Sequence, residues 1–195
     1  MNRLLDLTEE PDEGAPFSKN LSPLKGVFLG GQSSKSFDGL KDPVNWIYDY
    51  NPLIGKLTLQ REDGKSEVIT VFEDKKGLDY ISVVWDRQMQ LVLTYVIGST
   101  SYIYYWDALE DKYVEKAMEG DYIKATLISH YTLHSSFSQV VVGYVKNGKE
   151  LCIRLQQDRY SREYLVKAFE NKIKLYSISY TNKNRFQYEV MEALG

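Results

Sequence analysis

Along most of the chain, large apolar side chains alternate with polar ones at every second position, the spacing of half-buried β-strands. Lys56-Leu57-Thr58-Leu59-Gln60 alternates strictly. Asp63-Gly64 follows as a hairpin turn signal, and residues 67–72 read as its return strand. Residues 79–85 predict the next strand, ended by a turn around Asp86-Arg87-Gln88. Two longer hairpins come after it, LVLTYVIGSTSYIYYWD at 91–107 and VVVGYVKNGKELCIRLQQD at 140–158. Each opens on an apolar strand ending in Tyr-Val, turns on a short Gly-containing loop, and resumes as a strand that stops near an Asp. Tyr95 and Tyr144 stand 49 residues apart, within the roughly 40–50 residues of blade-like β repeats. Shorter strands are predicted at 112–114 and 124–128, and a closing pair at 174–180 and 186–190 around Asn182-Lys183-Asn184. Residues 161–172 fit two patterns. One is a helix capped by Ser161 with Tyr164, Leu165, Ala168 and Phe169 on one face; the other is a strand at Tyr164-Leu165-Val166. Short strands at regular spacing predict an all-β fold, either an antiparallel sandwich or partial propeller-like hairpin repeats.

Residues 1–45 break the pattern. They hold four of the five prolines, together with Gly14, Gly26, Gly30, Gly31 and Gly39, and their apolar residues follow no period. They predict an extended N-terminal arm or linker, with Val27-Phe28-Leu29 as its one strand-like run, ahead of a β domain at 46–195.

Composition sharpens this picture in one respect. The chain of 195 residues is 43% hydrophobic and 26% charged, enough for one sizeable core. A net charge of −3 supplies no basic field for a phosphate backbone, so no direct nucleic-acid binding is expected. The unusual count is 16 tyrosines, a β signal first and an interface signal second. No apolar run approaches the roughly 18 residues of a membrane span, and MNRLLDLTEE lacks the apolar stretch of a signal peptide. Cys152 is the only cysteine, set between Leu151 and Ile153 as a small core residue.

Candidate chemistry is sparse. His130 and His134 stand four apart, a metal-ligand spacing on a helix, but Tyr131, Thr132, Ser135 and Ser136 around them favour a polar loop. VFLGGQSSKS at 27–36 looks briefly like a phosphate loop, yet Ser34 occupies the place of the Gly that must precede the Lys. Asp107, Glu110 and Asp111 cluster as carboxylates that could bind calcium or serve as acid and base; after a strand they more often solvate a turn. Trp85-Asp86 and Trp106-Asp107 read as a strand end followed by a turn-opening Asp. Tyr102, Tyr104 and Trp106 share one face of a strand, with Ile103 and Tyr105 on the other. The plain reading makes one face core and packs the other on a neighbouring sheet. A protein interface and a sugar-stacking platform are the functional alternatives.

The stretches GLDYISVVWDRQMQLVLTYV, SYIYYWDALEDKYV and VVVGYVKNGKELCIRLQQDRYSREYLV resemble a family of tailed-bacteriophage virion proteins with Tyr-rich blade-like hairpins. The family pattern has a Trp-Asp turn before a Tyr-Val strand, an Ile-Tyr-x-Tyr-Trp-x-Asp hairpin, and a later Leu-x-x-Arg-x-Gln-x-Asp-Arg-Phe segment. Leu151, Arg154, Gln157, Asp158, Arg159 and Tyr160 carry that last pattern, with Tyr in place of Phe. The resemblance covers roughly residues 45–190.

It implies a structural part of a virion, assembled in the host cytoplasm, in the tail or the head-to-tail connection, with no catalytic residues and no cofactor. Its partners would be copies of itself and other virion structural proteins. Tyr102, Tyr104, Trp106, Arg154 and Arg159 are the expected interface residues, since Trp, Tyr and Arg commonly anchor interfaces. The alternatives are a carbohydrate-binding β module that recognises a host surface and, more remotely, a hydrolase using Asp107 or Asp111.

Overall fold

The structure, a computed structural model, describes residues 6–7, 24–31, 44–127, 140–180 and 185–193. In chain order the strands are β1 (Asp6–Leu7), β2 (Lys25–Gly30), β3 (Val44–Asn51), β4 (Lys56–Arg61), β5 (Ile69–Phe72), β6 (Leu78–Trp85), β7 (Leu91–Ile97) and β8 (Thr100–Asp107). They continue as β9 (Lys112–Met118), β10 (Asp121–Leu127), β11 (Val140–Lys146), β12 (Glu150–Leu155), β13 (Glu163–Ala168), β14 (Ile173–Tyr180) and β15 (Arg185–Glu192). The described residues hold no α-helix; a single 3-10 turn, Gln156–Asp158, follows β12. The chain is all-β.

The strands form four sheets. Three are four-stranded antiparallel meanders in simple chain order, β2 to β5, β6 to β9 and β10 to β13. The fourth has the order β1-β15-β14, with β1 joined parallel to β15 at Asp6↔Arg185 and Leu7↔Phe186. The inner strands run side by side from sheet to sheet, β2 against β6, β6 against β10 and β10 against β14. Between β6 and β10 they run in the same direction. Tyr80 meets Tyr122 edge-on near the start of both, and Ser82 Oγ accepts the Ala125 N–H at 3.1 Å further along.

Alternation along each strand separates the cores. Trp46, Tyr50, Leu57 and Leu59 of the first sheet meet Ile81, Val83, Trp85, Leu93 and Tyr95 of the second. Val92, Ile103 and Tyr105, on the opposite face of the second sheet, meet Ile123, Val142, Tyr144 and Cys152 of the third. Val141, Val145, Leu151 and Ile153 then meet Ile173, Leu175, Ile178 and Phe186 of the fourth. Among the described residues, three apolar layers therefore separate four sheets. No such layer joins the fourth sheet back to the first.

The hairpins at 91–107 and 140–158 take equivalent places, β7–β8 in the second sheet and β11–β12 in the third. The boundary between arm and β domain needs revision. Position 45/46 falls inside β3, and Lys25–Gly30, which the sequence reading leaves in the arm, is the inner strand of the first sheet. Two of the glycines read as linker, Gly26 and Gly30, are packing room. A Cβ on Gly26 would lie 2.3 Å from the Tyr48 ring, and one on Gly30 2.4 Å from the Trp85 ring and 2.7 Å from that of Trp46. The open choice at 161–172 resolves to a strand: β13 pairs antiparallel with β12, and Tyr164 and Val166 face the third apolar layer. The turn at 182–184 lies outside the described residues.

Candidate functional site

Polar side chains gather at one end of the second and third sheets, where β6, β8 and β12 all terminate. Asp86 opens the β6–β7 turn and is almost fully buried. Its Oδ1 accepts the N–H groups of Gln88 and Gln90 at 2.9 and 2.8 Å, and its Oδ2 accepts Gln156 Nε2 from the third sheet at 3.1 Å. Burial raises the Asp86 pKa above the ordinary carboxylate range, and those three donors oppose the rise only in part. Gln156 also receives the Val140 N–H at 2.9 Å, so one amide ties the start of β11 and the end of β12 to the neighbouring sheet.

Asp107 repeats the device at the β8–β9 turn. Its Oδ1 accepts the Leu109 N–H at 3.0 Å, and its Oδ2 takes a forked pair of donors from Arg159. The guanidinium holds the Asp107 carboxyl below its usual pKa, and the carboxylate raises that of Arg159 in return. Arg159 and Tyr160 both adopt left-handed backbone, φ 50° and 55°, which swings the Arg159 side chain back across the second sheet. Tyr160 is buried edge-on against Tyr105, and its hydroxyl has no partner among the described residues.

Further along, the second and third sheets share another arrangement. Tyr95 on the second strand of its sheet donates its hydroxyl to Glu115 on the fourth, and Lys75 pairs with the same carboxylate. Tyr144, in the matching place one sheet on, donates to Glu163 at 2.6 Å, and Lys146 completes the pair at 2.7 Å. Arg154 Nε donates to the Tyr144 hydroxyl at 2.9 Å, and Arg154 Nη1 to the Tyr160 carbonyl at 3.0 Å. Lys146 and Tyr144 hold Glu163 below its ordinary pKa. At Glu115 burial pushes upward, but Lys75 and Tyr95 outweigh it and the net direction is down. Tyr50 of the first sheet is a third buried tyrosine anchored through its hydroxyl, which donates to the Lys75 carbonyl and accepts the Leu78 N–H.

The five interface candidates fall into two groups. Tyr102, Tyr104 and Trp106 share the face of β8 turned toward the first sheet and are half-buried there. Tyr102 stacks on Tyr95, Tyr104 stacks on Tyr113 with ring centroids 5.0 Å apart, and Trp106 meets Tyr113 edge-on. Arg159 reaches from the end of the third sheet to Asp107 of the second, whereas Arg154 is held by Tyr144, Glu163 and the Tyr160 carbonyl, all on its own side.

Other sequence candidates disperse. Glu110 pairs with Lys112, and Asp107 is engaged as above. Gly30 ends a strand, while residues 32–36, half of the phosphate-loop-like run, lie outside the described residues, as do His130 and His134. Among the described residues no group of three or more His, Cys, Asp or Glu could hold a metal, and no helix is long and apolar enough to cross a membrane. Burial pushes the Cys152 thiol up to about 11, which keeps it protonated at neutral pH.

Sequence reasoning missed two signals. Gln156 makes the bond to Asp86, and it is Gln156, not Gln157, that stands at the Arg-x-Gln spacing of the family pattern counted from Arg154. Asp-Tyr-Ile occurs at 79–81 and again at 121–123, 42 residues apart. Both tyrosines take positive φ where the strand register shifts, so the tripeptide marks the start of successive inner strands more sharply than the Tyr-Val pair does. No protein-family model, curated protein or solved structure matches the chain.

Proposed function

We propose that this chain is a structural component of a tailed-phage virion, in the tail or the head-to-tail connection, acting by multi-copy assembly. One observation carries the reading. The segment 151–160, on which the resemblance to phage virion proteins rests most specifically, is also the segment that fastens the third sheet to the second. Gln156 reaches Asp86, Arg159 reaches Asp107, and Tyr160 fills the layer between the sheets beside Tyr105. Arg159 ties the two sheets through Asp107, one of the two acids the hydrolase reading named, and neutralises it. The sugar-platform alternative loses ground for a related reason: Tyr104 and Tyr113 cover one another at an interplanar angle of 6°. The partners on this reading are copies of the chain and other virion structural proteins, and the role is not enzymatic.

Light scattering on the full-length protein over a wide concentration range tests it. Discrete ring-sized oligomers are the expected result. A monomer at every concentration that instead binds defined glycans on an array would replace this reading with the carbohydrate-binding one.

A further inference from the structure

We infer that the outer edge of β5 is a self-association site, where β5 of a second copy pairs with it antiparallel across a two-fold axis. The inference rests on the assembly reading above and names one contact that serves it.

The outermost strands of the three four-stranded sheets are β5, β9 and β13. Among the described residues, no strand pairs with the far side of β5. An unpaired edge is a template for another extended segment, and charges placed along it are a usual defence. β9 carries Lys112, Glu115 and Lys116, and β13 carries Glu163 and Lys167. β5, Ile69–Phe72, carries no charge. With Val68 ahead of it, it offers five successive residues of strong strand preference, without Gly or Pro. Residues 67–70 are all exposed, Val68 at 54% and Ile69 at 36%, and neither Val68 nor Ile69 belongs to an apolar layer.

Charge selects the occupant and the register. Two identical antiparallel strands make a self-complementary contact, so every row recurs on the other side of the axis. With Ile69 on the axis, Ile69 meets its own copy and Val68 meets Thr70. At the ends of the stretch, Lys65 of each copy then comes beside Glu73 of the other. Centring on Thr70 would set Glu67 against Glu73 and Lys65 against Lys75, and centring on Val68 would set Asp63 against Glu73. Like charges directly opposite one another oppose pairing. The edge therefore fits a second copy of itself in one register. The register shift around Val71 keeps the paired stretch short, which makes this a contact for high local concentration.

The test uses two full-length variants with exposed charges reversed, Lys65→Glu and Glu73→Lys. Either one alone sets like charges opposite one another at both ends of the pairing, and the two mixed restore both pairs. Sedimentation velocity over a concentration series is the readout. The expected result is self-association of the unaltered chain, weakened roughly tenfold or more in either variant and recovered in their equimolar mixture. Ile69→Lys, which places two ammonium groups on the axis, should abolish it. Circular dichroism should show the strands intact in all three variants, since the substituted side chains are exposed. If the unaltered chain assembles and the three variants assemble equally well, the β5 contact is overturned and the assembly reading stands. A monomer at every concentration would overturn both and leave the edge to a strand of another protein.

Discussion

At the scale of single residues, buried tyrosine hydroxyls do the work that a catalytic reading would assign to carboxylates. Tyr144 gives its proton to Glu163 and receives Arg154, so its hydroxyl satisfies two charged groups at once. Tyr144→Phe keeps the ring and leaves both charges short of a partner. The expected cost is about 1–3 kcal/mol in urea unfolding. A double-mutant cycle with Glu163→Gln should return a non-additive coupling; strict additivity would mean that the hydroxyl and the carboxylate act independently.

The acids also set opposed pH dependences. Glu115, Glu163 and Asp107 have folded-state pKa values below their ordinary ones. Their contribution is therefore present above the ordinary carboxylate range, about pH 4, and is lost as pH falls through the lowered values. Asp86 runs the other way, because burial raises its pKa. Its neutral form favours folding below the ordinary range, and that advantage disappears as pH rises through the raised value. Asp86→Asn keeps an acceptor for the Gln88 and Gln90 amides and carries no charge. Relative to the unaltered protein, the variant should be more stable at pH 7 than at pH 3. The reverse trend in urea titrations at the two pH values would show that the Asp86 charge is favourable where it lies.

At the scale of elements, the alternation of Leu57, Leu59, Leu91 and Leu93 made strands legible, because period two is a property of one strand alone. What stayed hidden depends on which strand lies opposite. The run 161–172 balanced helix against strand until β12 supplied its partner. Gly26 and Gly30 looked like linker because the rings that need their missing Cβ atoms come from Trp46, Tyr48 and Trp85, far along the sequence. The candidate site was legible to a lesser degree. Arg159 and the Trp-Asp turns stood out by residue type, but that Arg159 joins two sheets through Asp107 depends on stacking order, which no local pattern encodes; Arg154 stood out too, and it is spent inside the third sheet. The close approach at Gly30 gives a direct test. Gly30→Ala places a methyl group 2.4 Å from the Trp85 ring, between two indoles that brace each other, and should cost about 1–3 kcal/mol or more. Gly143→Ala meets the Ile178 side chain at 3.2 Å and the Cys152 carbonyl at an ordinary 3.8 Å, and should cost less because its closest neighbour need give by only a few tenths of an ångström. Thermal unfolding of the two variants ranks them; equal losses would mean that room at the first sheet is no tighter than at the third.

For the whole molecule, stacking in chain order means that burial is shared unequally. The second and third sheets are covered by apolar layers on both faces, the first and fourth on one. Along β7 five successive residues from Leu91 are buried, and along β11 six from Val140, whereas β5 has no buried residue. Among the described residues each sheet packs mainly on its neighbours, as in a short repeat array, so the ends can open while the middle stays folded. Amide hydrogen exchange under native conditions should therefore grade along the stack. The amides of β7 and β11 should exchange only through global unfolding, and those of β5 about a hundredfold faster through local opening. Uniform protection across all four sheets would show that the stack unfolds as one block, with the terminal sheets held as firmly as the central pair. Graded protection, slowest in β7 and β11 and fastest in β5, would show that burial on both faces, which only the central pair of sheets has among the described residues, decides which part of the stack opens first.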